Sequence, residues 1–149
     1  MDEKYELPLS TLSELYNCEE DKMIIMEHKV SKQDDRYLNF MTNGCECKRC
    51  GIKGEYTKLE FNIKQKWHLN VYAVKNGKEV MLTKDHIYPK SKGGLDHINN
   101  YQVLCERCNT KKDDKAPVTL REALEKGYTN ITAIEYAIHM GHKKVLVGV

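Results

Sequence analysis

The sequence lacks an apolar run long enough to form a transmembrane helix, and its first residues, MDEKYELP, lack the basic and then apolar pattern of a signal peptide. From these absences we expect a cytoplasmic protein with no membrane partner. Disulfides are rare in such a reducing compartment. The six cysteines, four of them in Cys-x-x-Cys pairs, are therefore predicted to include metal ligands and not disulfides.

The sequence also has little net charge, since its formal charge at pH 7 is only +2. This total hides an asymmetry. Residues 1–35 contain ten acidic and four basic side chains, whereas residues 44–112 contain fourteen basic and seven acidic ones. A polyanion would be attracted to the middle of the chain and not to its start. Taken alone, however, charge favours the simpler interpretation of a solvated surface.

Four cysteines form two pairs of identical spacing in distant parts of the chain, Cys47/Cys50 and Cys105/Cys108. Four thiolates from two such turns make a closed tetrahedral site, which is how proteins hold structural zinc. We therefore predict a Zn²⁺ site that joins a knuckle at residues 44–54 to the second pair. A redox role is disfavoured because neither pair lies in a thioredoxin-like βαβ pattern. Cys45 could compete as a ligand, but a spare buried thiol is the favoured interpretation.

A β-hairpin is predicted between the two cysteine pairs. Residues 56–64 and 67–74 have the composition and the apolar alternation of strands. Asn76-Gly77 is the strongest short signal for a hairpin turn, because both turn residues need positive φ. The return strand, residues 79–87, would carry Asp85 and His86 to its end. A short strand at residues 101–104 and a helix from Cys105 to Lys112 are predicted to follow.

The polar residues at the end of this hairpin and beyond it suit phosphodiester hydrolysis. His86 is a candidate general base because imidazole titrates near neutral pH. Asp85 and Asn109 offer hard oxygen donors, which suit Mg²⁺ or Mn²⁺. Neighbouring strand residues point to opposite faces, so Asp85 and His86 can serve one site only at a strand end. Asn100 is predicted to hold the long loop by side-chain-to-backbone hydrogen bonds and so to orient His86; Asn99 is the alternative at that position.

The segment DHIYPKSKGGLDHINNYQVLCERCNTKK resembles the HNH endonuclease family, the ββα-metal nucleases, in the zinc-bearing form with two Cys-x-x-Cys pairs. The resemblance covers about residues 45–114 and rests on the order of residue identities. It implies an α+β fold with a ββα-metal core, a preceding hairpin, a structural four-cysteine site and short helices at both ends.

The resemblance also implies a role for each polar residue. Asp85 and Asn109 would bind one divalent ion, His86 would be the general base, and Asn100 would constrain the loop. Where the family name implies a second histidine, this chain has Asn109, which shifts the expected ion toward magnesium. Basic side chains around the site would contact DNA phosphates and add affinity without sequence information; they are Lys90, Lys92, Arg107, Lys111 and Lys112. His97 would serve loop packing or a phosphate contact.

The predicted organisation has three parts. Residues 1–43 form a helical N-terminal extension, residues 44–116 the zinc-bearing HNH nuclease core, and residues 117–149 a helical C-terminal appendage. Within the first part, residues 8–28 look helical, although residues 23–26 could be a helix or a short buried strand. The appendage could pack structurally or orient the substrate, and the sequence does not decide between these.

The leading functional hypothesis is a metal-dependent DNA endonuclease with one site per chain, which would nick DNA unless it dimerises. Whether the chain is a monomer or a homodimer stays open. The alternative is a non-catalytic, zinc-stabilised nucleic-acid-binding module. The intact set of Asp85, His86 and Asn109 argues against that alternative. A homing or phage-type nuclease would differ in its target and not in its chemistry.

Overall fold

A computed structural model of the protein describes residues 5–92, 94 and 96–115. Its elements, in chain order, are β1 (Glu6–Pro8), α1 (Thr11–Tyr16), β2 (Lys22–Ile25), β3 (His28–Ser31), α2 (Asp35–Asn43), β4 (Tyr56–Phe61), β5 (Trp67–Lys75), β6 (Lys78–His86), β7 (Tyr101–Cys105) and α3 (Glu106–Lys112). Two short 3₁₀ helices, Lys90–Lys92 and Ile98–Asn100, lie in the loop between β6 and β7.

The strands form one curled sheet with β5 at its centre. Along one path the strand order is β1-β4-β5-β3-β2, while β6 pairs with both β5 and β7. The first part of β6, up to Met81, pairs antiparallel with the end of β5, and its second part, from Leu82 to His86, pairs antiparallel with β7. The start of β5 is instead bridged in parallel by β3, at Trp67 and Val30. The sheet therefore branches at β5, with β3 and β2 on one branch and β6 and β7 on the other.

Helix α2 bridges the central strand β5 and strand β7. The Tyr37 hydroxyl accepts a hydrogen bond from the Leu69 N–H on β5 (3.0 Å). On the other side, Asn39 Nδ2 donates to the Gln102 carbonyl on β7 (3.0 Å). Asn39 is fully buried, and a buried amide without partners would be costly. The helix thus fixes where β7 lies relative to the central strand.

The hairpin predicted from Asn76-Gly77 is confirmed, since the two residues have φ of 53° and 75° and join β5 to β6. The strands predicted at residues 56–64 and 67–74 are observed as β4 and β5, with β4 ending earlier, at Phe61. The short strand before the second cysteine pair and the helix after it are present as β7 and α3. The α+β class is confirmed.

The prediction of a helical N-terminal segment is wrong for much of its length. Helix α1 covers six residues, and a two-stranded hairpin, β2–β3, follows it. Its turn is made by Met26 and Glu27, which both have positive φ, the geometry that two-residue hairpins require. The question left open at residues 23–26 is answered by β2, in which Ile25 is buried and Ile24 exposed.

Residues 5–43 share one sheet and one core with the strands that follow. Side chains from α1, β3 and α2 pack in the same buried cluster as those of β4 to β7; they include Leu12, Leu15, Val30, Tyr37 and Phe40. Three of the paired cysteines, Cys47, Cys105 and Cys108, belong to this cluster as well. The predicted C-terminal appendage, residues 117–149, lies outside the described residues. Among the described helices, none is both long and apolar enough to cross a membrane.

Candidate active site and metal centre

The site lies where β6 ends and β7 begins. In this antiparallel pair Asp85 is opposite Gln102, and His86 is opposite Tyr101. The loop that connects the strands returns on itself, because the Ile87 N–H donates to the Asn100 carbonyl (2.8 Å). The strand end therefore carries Asp85 and His86 to the mouth of a cleft.

Asn100 closes this loop through two hydrogen bonds to one residue. Its Oδ1 accepts from the Tyr88 N–H (2.8 Å), and its Nδ2 donates to the Tyr88 carbonyl (3.1 Å). Asn100 is fully buried, so both bonds are protected from water. The Asn99 side chain is half-exposed, and its N–H donates to His97 Nδ1 (3.0 Å). Asn100 is thus placed to constrain the loop, and His97 makes a local loop contact.

Asp85 is held by partners on two other elements. Its Oδ2 accepts from Gln102 Nε2 on β7 (3.0 Å) and lies 3.3 Å from Lys112 Nζ on α3. The residue is 6 % exposed. Burial raises the pKa of the Asp85 carboxyl above its usual value, and the contacts with Gln102 and Lys112 only partly oppose this shift. A divalent cation bound to the carboxylate would lower the pKa of Asp85 further than Lys112 alone does.

His86 faces an acidic partner that the sequence did not reveal. Its Nε2 lies 2.7 Å from Asp96 Oδ1, and the edge of its ring meets Tyr101 at 5.2 Å between centroids. Asp96 also pairs with Lys90 (3.3 Å). The hydrogen bonds from His86 and Lys90 lower the pKa of the Asp96 carboxyl. No motif marks Asp96, because its relation to His86 depends on the fold of the loop between them.

Asn109 joins α3 to β6. Its Nδ2 donates to Thr83 Oγ1 (2.8 Å), which directs the amide toward β6. A cleft of about 610 Å³ is lined by Asp85, His86 and Asn109 together with residues of the loop and of α3. The three candidate residues therefore share one cavity, although two come from the end of β6 and the third from α3, which begins only after the long loop and β7.

The predicted DNA-contacting residues divide into two groups. Arg107 and Lys111 are exposed on α3, and Lys90 is exposed in the 3₁₀ helix that also contains Lys92. Lys112 differs, because it is 1 % exposed and its ammonium group is held by Asp85 and by the His86 carbonyl (2.9 Å). Its burial does not suit a surface contact with a phosphate, so we correct the prediction for Lys112.

Gly94 makes the tightest backbone approach in the loop. A Cβ at this position would lie 1.8 Å from the Tyr88 carbonyl oxygen and 2.8 Å from that of Pro89. We expect Gly94→Ala to lower the free energy of unfolding by about 1–3 kcal/mol, because backbone atoms must shift to admit the methyl group. Urea denaturation measures this. Ser91→Ala, an exposed change in the same loop, should stay within about 0.5 kcal/mol, and equal stabilities of the two variants would contradict the prediction.

The four paired cysteines converge as predicted. The Sγ atoms of Cys47, Cys50, Cys105 and Cys108 all lie within 4.8 Å of one another, and those of Cys50 and Cys105 are 3.8 Å apart. A tetrahedral ion with Zn–S bonds of about 2.3 Å requires sulfur separations of about 3.8 Å. The cluster could therefore bind a metal ion. Cys45 and Cys18 lie outside it, and burial raises the pKa of the Cys45 thiol to about 11.

Backbone amides in both turns point toward the sulfur atoms. The Cys50 N–H donates to Cys47 Sγ (3.5 Å), and the Cys108 N–H donates to Cys105 Sγ (3.4 Å). Although burial opposes it, the amide hydrogen bonds lower the pKa of the Cys47 thiol to about 7. The knuckle is tied to β7 by the Lys48 N–H, which donates to the Val103 carbonyl (2.8 Å).

Residues 72–125 match the family model described as HNH endonuclease. Comparisons with curated proteins and with solved structures gave no match. The matched segment contains β6, β7 and α3, and with them Asp85, His86, Asn109 and the second cysteine pair. The cleft and its three candidate residues thus lie inside the match, whereas the knuckle precedes it. Through residues 72–125, this chain is therefore similar to the HNH endonuclease family.

Proposed function

We propose that the protein is a metal-dependent endonuclease that hydrolyses phosphodiester bonds in DNA. The observation that carries this proposal is that Asp85, His86 and Asn109 line one cleft within the HNH segment. A non-catalytic binding module would not need a carboxylate, an imidazole and an amide in one cavity. Because each chain has one such cleft among its described residues, we propose nicking as the product of a monomer.

The donor set fits a hard divalent ion. Asp85 supplies a carboxylate and Asn109 an amide oxygen, which are ligands that Mg²⁺ and Mn²⁺ accept. Such an ion would stabilise the negative charge that develops on the leaving oxygen. His86 accepts the proton of the attacking water, and its contacts with Asp96 and Tyr101 restrict the orientation of the ring. Asn100 keeps the loop closed beside it.

The four-cysteine cluster would hold Zn²⁺ in a structural role. Four thiolates leave no open position for a water or a substrate, so the cluster is not suited to chemistry. Cys105 precedes α3 and caps its first turn, and Asn109 lies in the next turn of the same helix. The zinc would therefore position a ligand of the catalytic ion without contacting the substrate.

A plasmid assay tests the activity. With Mg²⁺ or Mn²⁺, the wild-type protein should convert supercoiled plasmid to the open circle, and excess EDTA should stop the reaction. We expect Asp85→Asn to reduce the rate by at least about 100-fold, because the ion loses its charged ligand. The matched control is Asp21→Asn, an exposed aspartate just before β2 that does not line the cleft.

Two outcomes would reject the proposal. If folded protein binds DNA but cuts neither supercoiled nor linear DNA with either ion, the binding-module alternative is supported instead. If Asp85→Asn nicks as fast as Asp21→Asn, another site does the chemistry. Linear product formed without an open-circle stage would contradict nicking by a monomer and would indicate a dimer.

A further inference from the structure

Lys112 is a buried lysine with its charge inside the candidate site. Its ammonium group donates to the His86 carbonyl (2.9 Å) and lies 3.3 Å from Asp85 Oδ2, while the residue is 1 % exposed. Lysine is almost never fully buried unless it is paired, and an unpaired buried charge is strongly destabilising. The carboxylate of Asp85 is thus its counter-ion, and the His86 carbonyl is its second partner.

The partners of Asp85 act on one of its two oxygens. Gln102 Nε2 donates to Oδ2 (3.0 Å), the same atom that Lys112 approaches. In the described part of the chain, Oδ1 has no hydrogen-bond partner. Gln102 keeps this orientation although its own Oε1 is buried without a partner among the described residues, which is a costly arrangement. The network therefore holds Oδ2 and leaves Oδ1 for a ligand.

Helix α3 places Lys112 and Asn109 together. They are three residues apart, so they lie on the same face of the helix, and both line the cleft. Lys112 contacts the backbone of His86 and the side chain of Asp85, while Asn109 contacts Thr83. One face of α3 therefore contacts the last four residues of β6 at three points.

We propose that Lys112 is a positioning residue with two effects on the site. It fixes Asp85 through Oδ2, which presents Oδ1 to the divalent ion, and it fixes the strand end that carries His86. As a permanent cation beside the ligand, it also weakens binding of that ion in the absence of DNA, since like charges repel strongly at such distances in a partly buried site. This inference rests on the proposed function, because it assumes that Asp85 binds the ion.

When the charge of Lys112 is removed, the two effects predict a higher affinity for Mn²⁺ but a lower rate of nicking. We expect zinc-loaded Lys112→Met, titrated without DNA, to bind Mn²⁺ about tenfold more tightly than wild type, because a fixed charge near the ion is gone. At saturating Mn²⁺ it should nick plasmid at least about tenfold more slowly, because Asp85 and His86 lose their common anchor. A residue with a merely structural role would lower affinity and rate together.

Calorimetry or electron paramagnetic resonance of Mn²⁺ measures the affinity. The matched control is Lys111→Met, which removes an exposed charge from the neighbouring position and should leave Mn²⁺ affinity as in wild type. Lys112→Arg keeps the charge and should keep the weak affinity. Should Lys112→Met fail to fold, Lys112→Gln carries the prediction for Mn²⁺ affinity, because it also removes the charge while its polar amide is better tolerated beside the buried carboxylate.

An affinity for Mn²⁺ that is equal to or weaker than that of wild type in the folded neutral variant would overturn the proposal. Asp85→Asn shows whether the measured binding occurs at this site. If wild type binds Mn²⁺ through Asp85 but does not cut DNA, the nuclease proposal fails, while the affinities still test the role of Lys112. If neither wild type nor Lys112→Met binds Mn²⁺, the proposal for Lys112 is wrong.

Discussion

Removal of zinc is expected to abolish the cooperative thermal transition of this protein or to lower its midpoint by at least about 20 °C. A structural zinc ion contributes roughly 10–16 kcal/mol of apparent binding free energy, whereas a domain of this size is stable by about 5–15 kcal/mol. The proposed ligands Cys47 and Cys105 are 1 % exposed and belong to the main core. Loss of the ion would therefore open the core and not just a surface turn.

Circular dichroism melts with and without a strong chelator, under reducing conditions and with the zinc content measured, test this prediction. Cys105→Ser should lose zinc and melt as the chelated protein does. Cys18→Ser is the control, since Cys18 lies outside the cluster and its thiol donates to the Glu20 carbonyl (3.0 Å), a bond that a hydroxyl can also make. A zinc-free wild type with an unchanged melt would refute the structural role.

Helix α3 connects the cysteine cluster, and so the effect of zinc removal on stability, to the cleft with Asp85 and His86. The helix begins next to Cys105, which caps it, and its following turns carry Asn109 and Lys112, which contact β6. A seven-residue helix has little stability of its own. Its position depends on the cysteine cluster at one end and on these two contacts along its length. Zinc loss should therefore disturb the cleft even before the sheet unfolds.

The parts of the fold that the sequence predicts correctly are those determined by neighbouring residues. Asn76 and Gly77 require positive φ and form a turn wherever the strands beside them allow it. The spacing of each cysteine pair is a local property as well, and two such pairs need only one ion to bring them together. The end of β6 at His86 follows from the hairpin register and from Pro89 shortly after it.

The remaining features depend on contacts between distant segments. Strand β3 joins the sheet through one bridge between Val30 and Trp67, which no local pattern predicts. The partner of His86, Asp96, is found only once the loop is folded. Lys112 looks like one more basic residue in a basic stretch, and only its burial beside Asp85 shows a different role. In each case the sequence gives the residue type and tertiary packing gives the partner.

Replacement of His86 by Ala is expected to reduce the cleavage rate by about 10²–10⁴-fold, the usual contribution of a general base, while DNA binding is retained. Binding should persist because exposed basic side chains on α3 and in the loop remain. Mn²⁺ binding should persist too, since Lys112 donates to the backbone carbonyl of His86 and not to its ring. Fluorescence anisotropy in EDTA and a nicking assay in Mg²⁺ measure the two properties separately.

His97→Ala is the matched control, because His97 lies in the same loop and accepts a hydrogen bond from the Asn99 N–H. It should keep most of the cleavage activity. The pattern across variants then separates the roles: His86→Ala loses cleavage alone, whereas Asp85→Asn loses cleavage and ion binding together. If His86→Ala cuts as fast as wild type, His86 is not the general base. If His86→Ala loses Mn²⁺ binding, the imidazole ring supports the ion site. The assignment of separate roles to His86 and Asp85 is then wrong.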